Sequence, residues 1–354
     1  MPQKVNKQYT ASVPPVSVVI AARNEETHIG ARIENLLSQD YPSTMMEIII
    51  VSDGSSDNTD TIINTFIQKS NTANLDSTHI KLIRAEIHKG KPSALNTGVS
   101  QASGEIIVFT DARQIFKPDA INQLVANFND PRIGCVSGEL VFFENSTSEI
   151  KSEMNFYWKL EKRIRKMEGA INSVAGATGA IYAIRKPLFV PLPEEILLDD
   201  VFIPMKVVFQ GYRTIFDNDA VAYDTFAKTL AHEKKRKVRT LVGNYQLLRL
   251  MPELLAPFKN PIFFRYLSHK ILRLFIPFFF IIFLFSSFLA GGLFYKLLFI
   301  ASILTLLLPL TGERISAMPF LGKLSQLAGA FVSLNYFALL AFFYFIKPGK
   351  KNLW

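Results

Sequence analysis

The sequence predicts an α/β fold in which a doubly wound, mainly parallel sheet is followed by C-terminal transmembrane helices. Three observations lead there. Apolar runs of strand length at 16–22, 47–51, 80–83 and 105–110 alternate with helical patterns at about 26–39 and 57–70, the βαβ rhythm of a parallel sheet. The first two runs deliver acidic or amide groups at their carboxyl ends, Arg23-Asn24-Glu25-Glu26 and Asp53, which is where open α/β sheets bind ligands. From Ile271 onward Phe, Leu and Ile dominate, whereas the composition before it is ordinary.

Taken in order, 1–14 is an N-terminal extension and 15–245 is one large domain, with a first half at 15–145 and a second at 146–245. Asp53-Gly54-Ser55-Ser56-Asp57 reads as a turn with Ser or Asp placed to cap the next helix. Pro118-Asp119 opens a helix over 118–129, and a strand at 133–143 closes the first half. The second half begins with an amphipathic helix at about 149–168, carrying Phe156, Tyr157 and Trp158 beside basic residues. The small side chains of Ala175-Gly176-Ala177-Thr178-Gly179-Ala180 suit either a tight packing turn or close approach of backbone to a ligand. Leu197-Leu198-Asp199-Asp200 leads into a helix that reaches Gln210 and stops at Gly211. Residues 213–222 form a final strand.

Residues 246–270 mix Leu, Phe and Tyr with Lys259, Arg265 and Lys270, the pattern of an amphipathic segment lying in the headgroup region. Two or three transmembrane helices follow over 271–346, then a basic tail at 347–354. The segments at about 271–294 and 324–346 are long enough to span a bilayer. The one at about 297–310 is short and carries Pro309, so crossing and re-entry both stay open. The positive-inside rule places the large domain in the cytoplasm. Lys347, Lys350 and Lys351 favour the same side, which three crossings would not allow. No charged-then-apolar segment opens the chain, so a cleavable signal peptide is not expected. Cys135 is the one cysteine and excludes an internal disulfide.

The net charge of +9 is concentrated in two clusters, Lys159, Lys162, Arg163, Arg165 and Lys166, then Lys234, Lys235, Arg236, Lys237 and Arg239. A polybasic stretch just ahead of membrane helices faces anionic lipid headgroups or a phosphorylated ligand, so membrane lipids are expected partners and nucleic acid is not. The apolar segments lack the intramembrane charges of a transport path.

The chemistry-bearing motifs run ARNEE at 22–26, VSDGSSDNT at 51–59, GKPSALNTG at 90–98, FTDAR at 109–113, ATGAIYAIRK at 177–186, LLDD at 197–200 and GYR at 211–213. In order and spacing this string resembles the family-2 glycosyltransferases with a GT-A fold, over about 15–250, and the apolar segments resemble that group's membrane-bound branch, which includes cellulose and hyaluronan synthases. The resemblance implies an inverting transferase on the cytoplasmic face of the cell membrane. It would move a sugar from a nucleotide diphosphate donor, a UDP-sugar, to a lipid-linked or nascent cell-surface polysaccharide acceptor. A polyprenyl-phosphate glycosyl synthase is an alternative within the fold, and an inactive nucleotide-sugar-binding scaffold subunit is one of another class.

Carried over onto this sequence, the resemblance assigns Ala22, Glu25 and Asp53 to the uracil and ribose of the donor, and Lys91 to the nucleotide. Asp111 matches the first carboxylate of the family's D-x-D element, which with a second carboxylate fixes Mg²⁺ or Mn²⁺. Here the third position is Arg113, and a guanidinium cannot ligate a hard cation. Two outcomes follow: Asp111 holds a metal with water, or Arg113 itself meets the diphosphate. Asp200 matches the general base that takes the acceptor hydroxyl proton, with Asp199 supporting it; Gly179 and Ala180 fall on the acceptor side. Processive members carry Q-x-x-R-W near the membrane junction. This chain reads His232-Glu233-Lys234-Lys235-Arg236-Lys237 there. Arg236 is placed to serve the diphosphate, but no Trp follows to stack on an acceptor sugar, which favours single addition.

Overall fold

The computed structural model describes residues 13–72, 78–142, 162–225, 230–311 and 318–347. The extension up to residue 12, the aromatic part of the predicted 149–168 helix and the tail beyond 347 lie outside the described residues. The chain packs as two compact units. The first is built from the described parts of Met1–Thr147, Glu161–Phe226 and Ala256–Ile262, the second from those of Ser148–Leu160, Ala227–Leu255 and Phe263–Trp354.

The first unit is a sheet covered by helices. Its strands are β1 (Val16–Ala22), β2 (Met46–Asp53), β3 (His79–Ala85), β4 (Ile106–Thr110), β5 (Ile115–Phe116), β6 (Ile133–Phe142), β7 (Tyr182–Arg185) and β8 (Arg213–Asp224), in the spatial order β3-β2-β1-β4-β7-β6-β8-β5. The helices are α1 (Ile29–Leu37), α2 (Thr59–Thr72), α3 (Lys91–Ser100), α4 (Ala120–Ala126), α5 (162–171) and α6 (Asp199–Phe209). β1 and β4 are continuous apolar strands, and Val18, Val19, Ile20, Ile107 and Val108 are fully buried, as strands covered on both faces must be.

The expected parallel sheet holds from β3 to β4, where β1 pairs in parallel with both β2 and β4. Beyond β4 the sheet is mixed: β7 runs antiparallel to β4 and β6, while β6 and β8 are parallel. The sheet is thus mainly parallel, as expected, and the antiparallel pairs made by β7 and β5 are a detail that the expectation did not include. Apolar periodicity marks a strand but carries no sign of its direction, and β7 is a four-residue strand inside a segment read only as a motif. The strand and helix expected near 16–22, 47–51, 118–129, 200–210 and 213–222 are all present. Lys91 opens α3 after Gly90, whose φ of 94° a side chain would disfavour.

The second unit holds α7 (Leu230–Leu250), α8 (Phe263–Leu289), α9 (Leu293–Leu307) and α10 (Pro319–Ile346). Three of its helical spans, Phe263–Leu289, Leu293–Thr311 and Phe320–Ile346, are long and apolar enough to cross a membrane. The middle one reaches that length because the helix begins at Leu293 and a 3₁₀ turn continues it past Pro309. α8 starts ahead of the predicted 271, since a π-helical turn at Leu267–Ile271 carries the helix through His269 and Lys270. Tyr245 of α7 donates a hydrogen bond to the Leu274 carbonyl at 3.0 Å, and its ring stacks on Phe345.

Candidate functional site

The carboxyl ends of β1, β2 and β4 and the amino end of α6 bring most of the predicted residues into one place in the first unit. After β1, Asn24 turns the chain at a φ of 55°, the one positive value outside glycine among the described residues; Asn tolerates that region better than most side chains. Its side-chain oxygen accepts the Ser56 N–H at 2.8 Å, the Glu25 N–H reaches Thr59 Oγ1 at 2.8 Å, and the Asn58 N–H reaches Glu26 Oε2 at 3.0 Å. The β1 and β2 end loops are therefore stitched together by the residues of the first two motifs. Ala22 is buried beside Ser52 in the strand register. The Glu25 carboxylate pairs with His28 Nδ1 at 3.1 Å and stays 32% exposed.

Asp53 ends β2 with a buried carboxylate that faces its own chain. It accepts the Lys89 N–H on Oδ1 at 2.8 Å, the Gly90 N–H on Oδ2 at 2.8 Å, and His88 Nδ1 on Oδ2 at 2.6 Å. Those three bonds fix the turn that delivers Lys91.

Lys91 is the centre of the arrangement. Its ammonium lies 3.0 Å from Asp111 Oδ1, at the end of β4, and 3.3 Å from Asp199 Oδ2, in the first turn of α6. Burial opposes the charge, but attraction to Asp111, then Asp199, together with the hydrogen bond to Asp111 and the field of Asp200, outweighs it and raises the lysine above its ordinary value. Asp199 is also within 3.5 Å of the Tyr182 hydroxyl. Burial, reinforced by Asp199 and Asp200, pushes that phenol well above its ordinary value, so it stays a donor.

Asp200 follows in the same turn, where the helix N-terminus favours an ionised carboxylate. The segment carrying Gly179 and Ala180 lies against it. A side-chain carbon added at Gly179 would sit 3.2 Å from Asp200 Oδ2, and the Ala177 N–H binds the Asp200 carbonyl at 2.7 Å. Ala180 is tied to β4, because Thr110 Oγ1 donates to its carbonyl at 2.8 Å. Thr110 in turn accepts from Arg32 Nη2 at 2.9 Å. Arg32 is fully buried against the Phe116 ring, and desolvation, partly offset by Asp111, pushes its guanidinium down to about 9. Arg32 and His88 carry no motif signal, and only the tertiary pairing gives them a place here; Tyr182 lies within the ATGAIYAIRK motif, but nothing in that run singles it out.

Arg113 does not face Asp111's partners. Its guanidinium is 2.9 Å from the buried Asp224 Oδ2, which also accepts from Gln114 Nε2 at 3.0 Å. Arg236 belongs to α7, in the second unit. No group of three metal-ligating side chains occurs among the described residues. Asp111, 41% exposed at a strand end, fits a hard cation as one carboxylate ligand, since Mg²⁺ is commonly held by one or two carboxylates plus phosphate oxygens and water.

Poly-beta-1,6-N-acetyl-D-glucosamine synthase of Staphylococcus epidermidis is 27% identical over 67% of this chain and 56% of its own length, and that of Staphylococcus aureus 28% identical over 66% and 55%. The chain thus spans little more than half the length of these curated relatives. Among solved structures, the mannosyltransferase PcManGT from Pyrobaculum calidifontis in complex with GDP-Man and Mn²⁺ aligns over 96% of this chain and 89% of its own, at a TM-score of 0.70 and 22% identity. S. aureus TarS 1-349 in complex with UDP-GlcNAc aligns over 96% and 93%, at 0.51 and 16%. Both have the GT-A fold seen here. The family model described as Glycosyl transferase family 2 matches residues 17–189, and that described as Glycosyl transferase family group 2 matches 106–345. Between them they take in every motif from ARNEE to GYR, and the second alone covers most of the chain, which therefore belongs to the family-2 glycosyltransferases.

Proposed function

We propose that the protein is a membrane-bound inverting glycosyltransferase that moves N-acetylglucosamine from UDP-GlcNAc to a lipid-linked or nascent polysaccharide at the cytoplasmic face. The observation that carries this reading is the Lys91 ammonium, which joins Asp111 on the donor side to the Asp199–Asp200 pair on the acceptor side. The UDP-GlcNAc assignment is supported by the polymer that the staphylococcal relatives are named for and by the nucleotide sugar bound in TarS.

In this reading Asp200 removes the acceptor hydroxyl proton as that oxygen attacks C1 of the sugar from the face opposite the leaving group. The C1–O bond to the β-phosphate breaks with inversion, UDP departs, and no covalent enzyme intermediate forms. Lys91 meets the charge that develops on the diphosphate, which a preorganised cation stabilises without reorganisation. A divalent cation, held by Asp111 and diphosphate oxygens, would supply further neutralisation of the leaving group. Asp199 and Tyr182 hold Lys91 and the first turn of α6 in place. Residues 15–245 are read as the catalytic domain, with 246–270 at the membrane surface. Arg236 is assigned to the diphosphate by its motif alone. An inactive scaffold would have no need to keep the Lys91 bridge and Asp200 together.

Single addition remains the favoured mode because no Trp follows Arg236. The relatives' names favour a second reading, polymer synthesis. Native membranes supplied with radiolabelled UDP-GlcNAc test both. Label in a lipid or glycan fraction supports the transferase, and its length per acceptor separates one addition from a polymer. Transfer from GDP-mannose with none from any UDP-sugar would overturn the donor assignment.

A further inference from the structure

Asp53, expected to touch the nucleoside, spends its buried carboxylate on its own loop, and the group it presents outward is His88, whose side chain is 36% exposed. We propose that His88 reads the base of the donor: Asp53 fixes its ring, and Nε2 accepts the N3–H of uracil. The proposal rests on the UDP-sugar reading above.

The chemistry follows from the pair. An ionised carboxylate only accepts, so the nitrogen 2.6 Å from Asp53 Oδ2 carries the proton. A neutral imidazole protonated on Nδ1 has its lone pair on Nε2. Uracil offers a ring N–H at N3, which matches that lone pair. Cytosine has a lone pair of its own at N3, which repels it. The backbone that carries the ring is also closely packed. Gly54 has a φ of 66°, and a side-chain carbon there would lie 2.9 Å from the His88 backbone nitrogen, so the loop packs directly on the β2 turn.

Sheet order places His88 on the nucleoside side of the site. Asp111, which the Lys91 ammonium meets and where the diphosphate is read, stands at the end of β4, and Asp53 with His88 stands at the end of β2, two strands away across β1. At a strand spacing of about 4.8 Å that is roughly 10 Å, the reach of an extended nucleoside from its terminal phosphate. A nucleotide lying across the three strand ends would bring its base to His88.

Isothermal titration of the detergent-purified full chain with UDP and with CDP tests this. The wild type should bind UDP at least about tenfold more tightly than CDP, since a site built to pair a ring N–H leaves its acceptor unmet by the analogue. His88→Phe keeps the ring shape and removes the acceptor, and the ratio should fall to within about twofold. It should still fold, because Asp53 keeps the Lys89 and Gly90 N–H bonds. His88→Gln can donate to Asp53 through its amide and accept through its carbonyl, and should restore most of the preference. A His88→Phe chain that keeps the wild-type ratio overturns the proposal while leaving UDP-sugar transfer intact. A wild type that binds GDP in preference to UDP overturns both this proposal and the donor assignment.

Discussion

Replacing Lys91 with Met removes the one charge that bridges the two sides of the site, and the consequences can be worked from its distances. The ammonium is 3.0 Å from Asp111 and 3.3 Å from Asp199. At an effective dielectric of about 20, each pair attracts by about 5 kcal/mol before desolvation is counted. Removing one member of a buried pair costs a net of about 3–5 kcal/mol, because the other is left as an uncompensated charge. Asp111 is 41% exposed and gains water, whereas Asp199 is 10% exposed and keeps the Tyr182 hydroxyl at 3.5 Å. A destabilisation of about 3 kcal/mol, the low end, is therefore expected. The raised pKa of Lys91 means that the bridge contributes fully at every pH below its ordinary 10.5 and is lost only as the pH climbs past its folded value. The loss should accordingly be the same at neutral and mildly alkaline pH.

Catalysis should suffer separately. A charge-assisted hydrogen bond to the diphosphate is worth about 1.5–3 kcal/mol, or about 10- to 150-fold in kcat/KM for UDP-GlcNAc. The double variant Lys91→Met/Asp199→Asn distinguishes the two effects. It replaces the stranded carboxylate with an amide, so thermal stability of the purified chain should largely return while turnover does not. A single variant with kcat/KM within about twofold of wild type would refute the reasoning. So would a double variant that regains full turnover, since Lys91 would then be only a structural cation.

Three further outcomes are expected. Gly179→Ala places a carbon 3.2 Å from Asp200 Oδ2 and should lower kcat by about tenfold with the Kd for UDP unchanged; an unaltered kcat would mean that the position of that carboxylate is unimportant. Arg113→Ala removes the guanidinium 2.9 Å from the buried Asp224 Oδ2 and should lower the thermal unfolding midpoint while leaving the EDTA sensitivity of activity unchanged; a midpoint equal to wild type would show that this pair holds nothing in place. Thr110→Val removes the hydroxyl that accepts from Arg32 and donates to the Ala180 carbonyl, leaving the buried guanidinium short of a partner, and should cost about 2 kcal/mol in thermal unfolding. A midpoint equal to wild type would show that the Arg32 chain holds nothing in place.

Much of the fold was legible because a strand buried on both faces has to be a continuous apolar run, as β1 and β4 are, and because the amphipathic α1 lies between β1 and β2. The direction of β7 was not legible, since a four-residue strand contributes no period from which a partner could be read. In the site, Asp111, Asp199 and Asp200 stood out as carboxylates at element ends. Lys91 was visible as a residue, but its bridging position depends on β4 and α6 meeting, residues 111 and 199 being far apart in the chain. Asp53 was legible as a strand-end carboxylate and not as a buried one. That difference arises entirely in the 88–90 turn, whose two backbone N–H groups leave no trace in side-chain identity.

The most direct measurement is nucleoside diphosphate release from a panel of nucleotide sugars by native membranes carrying wild type or Asp200→Asn. Release from UDP-GlcNAc by the wild type, reduced about 10²- to 10⁴-fold in the variant with UDP still bound, is the expected result. Equal release by the two proteins would contradict Asp200 as the base on which the proposed transfer depends.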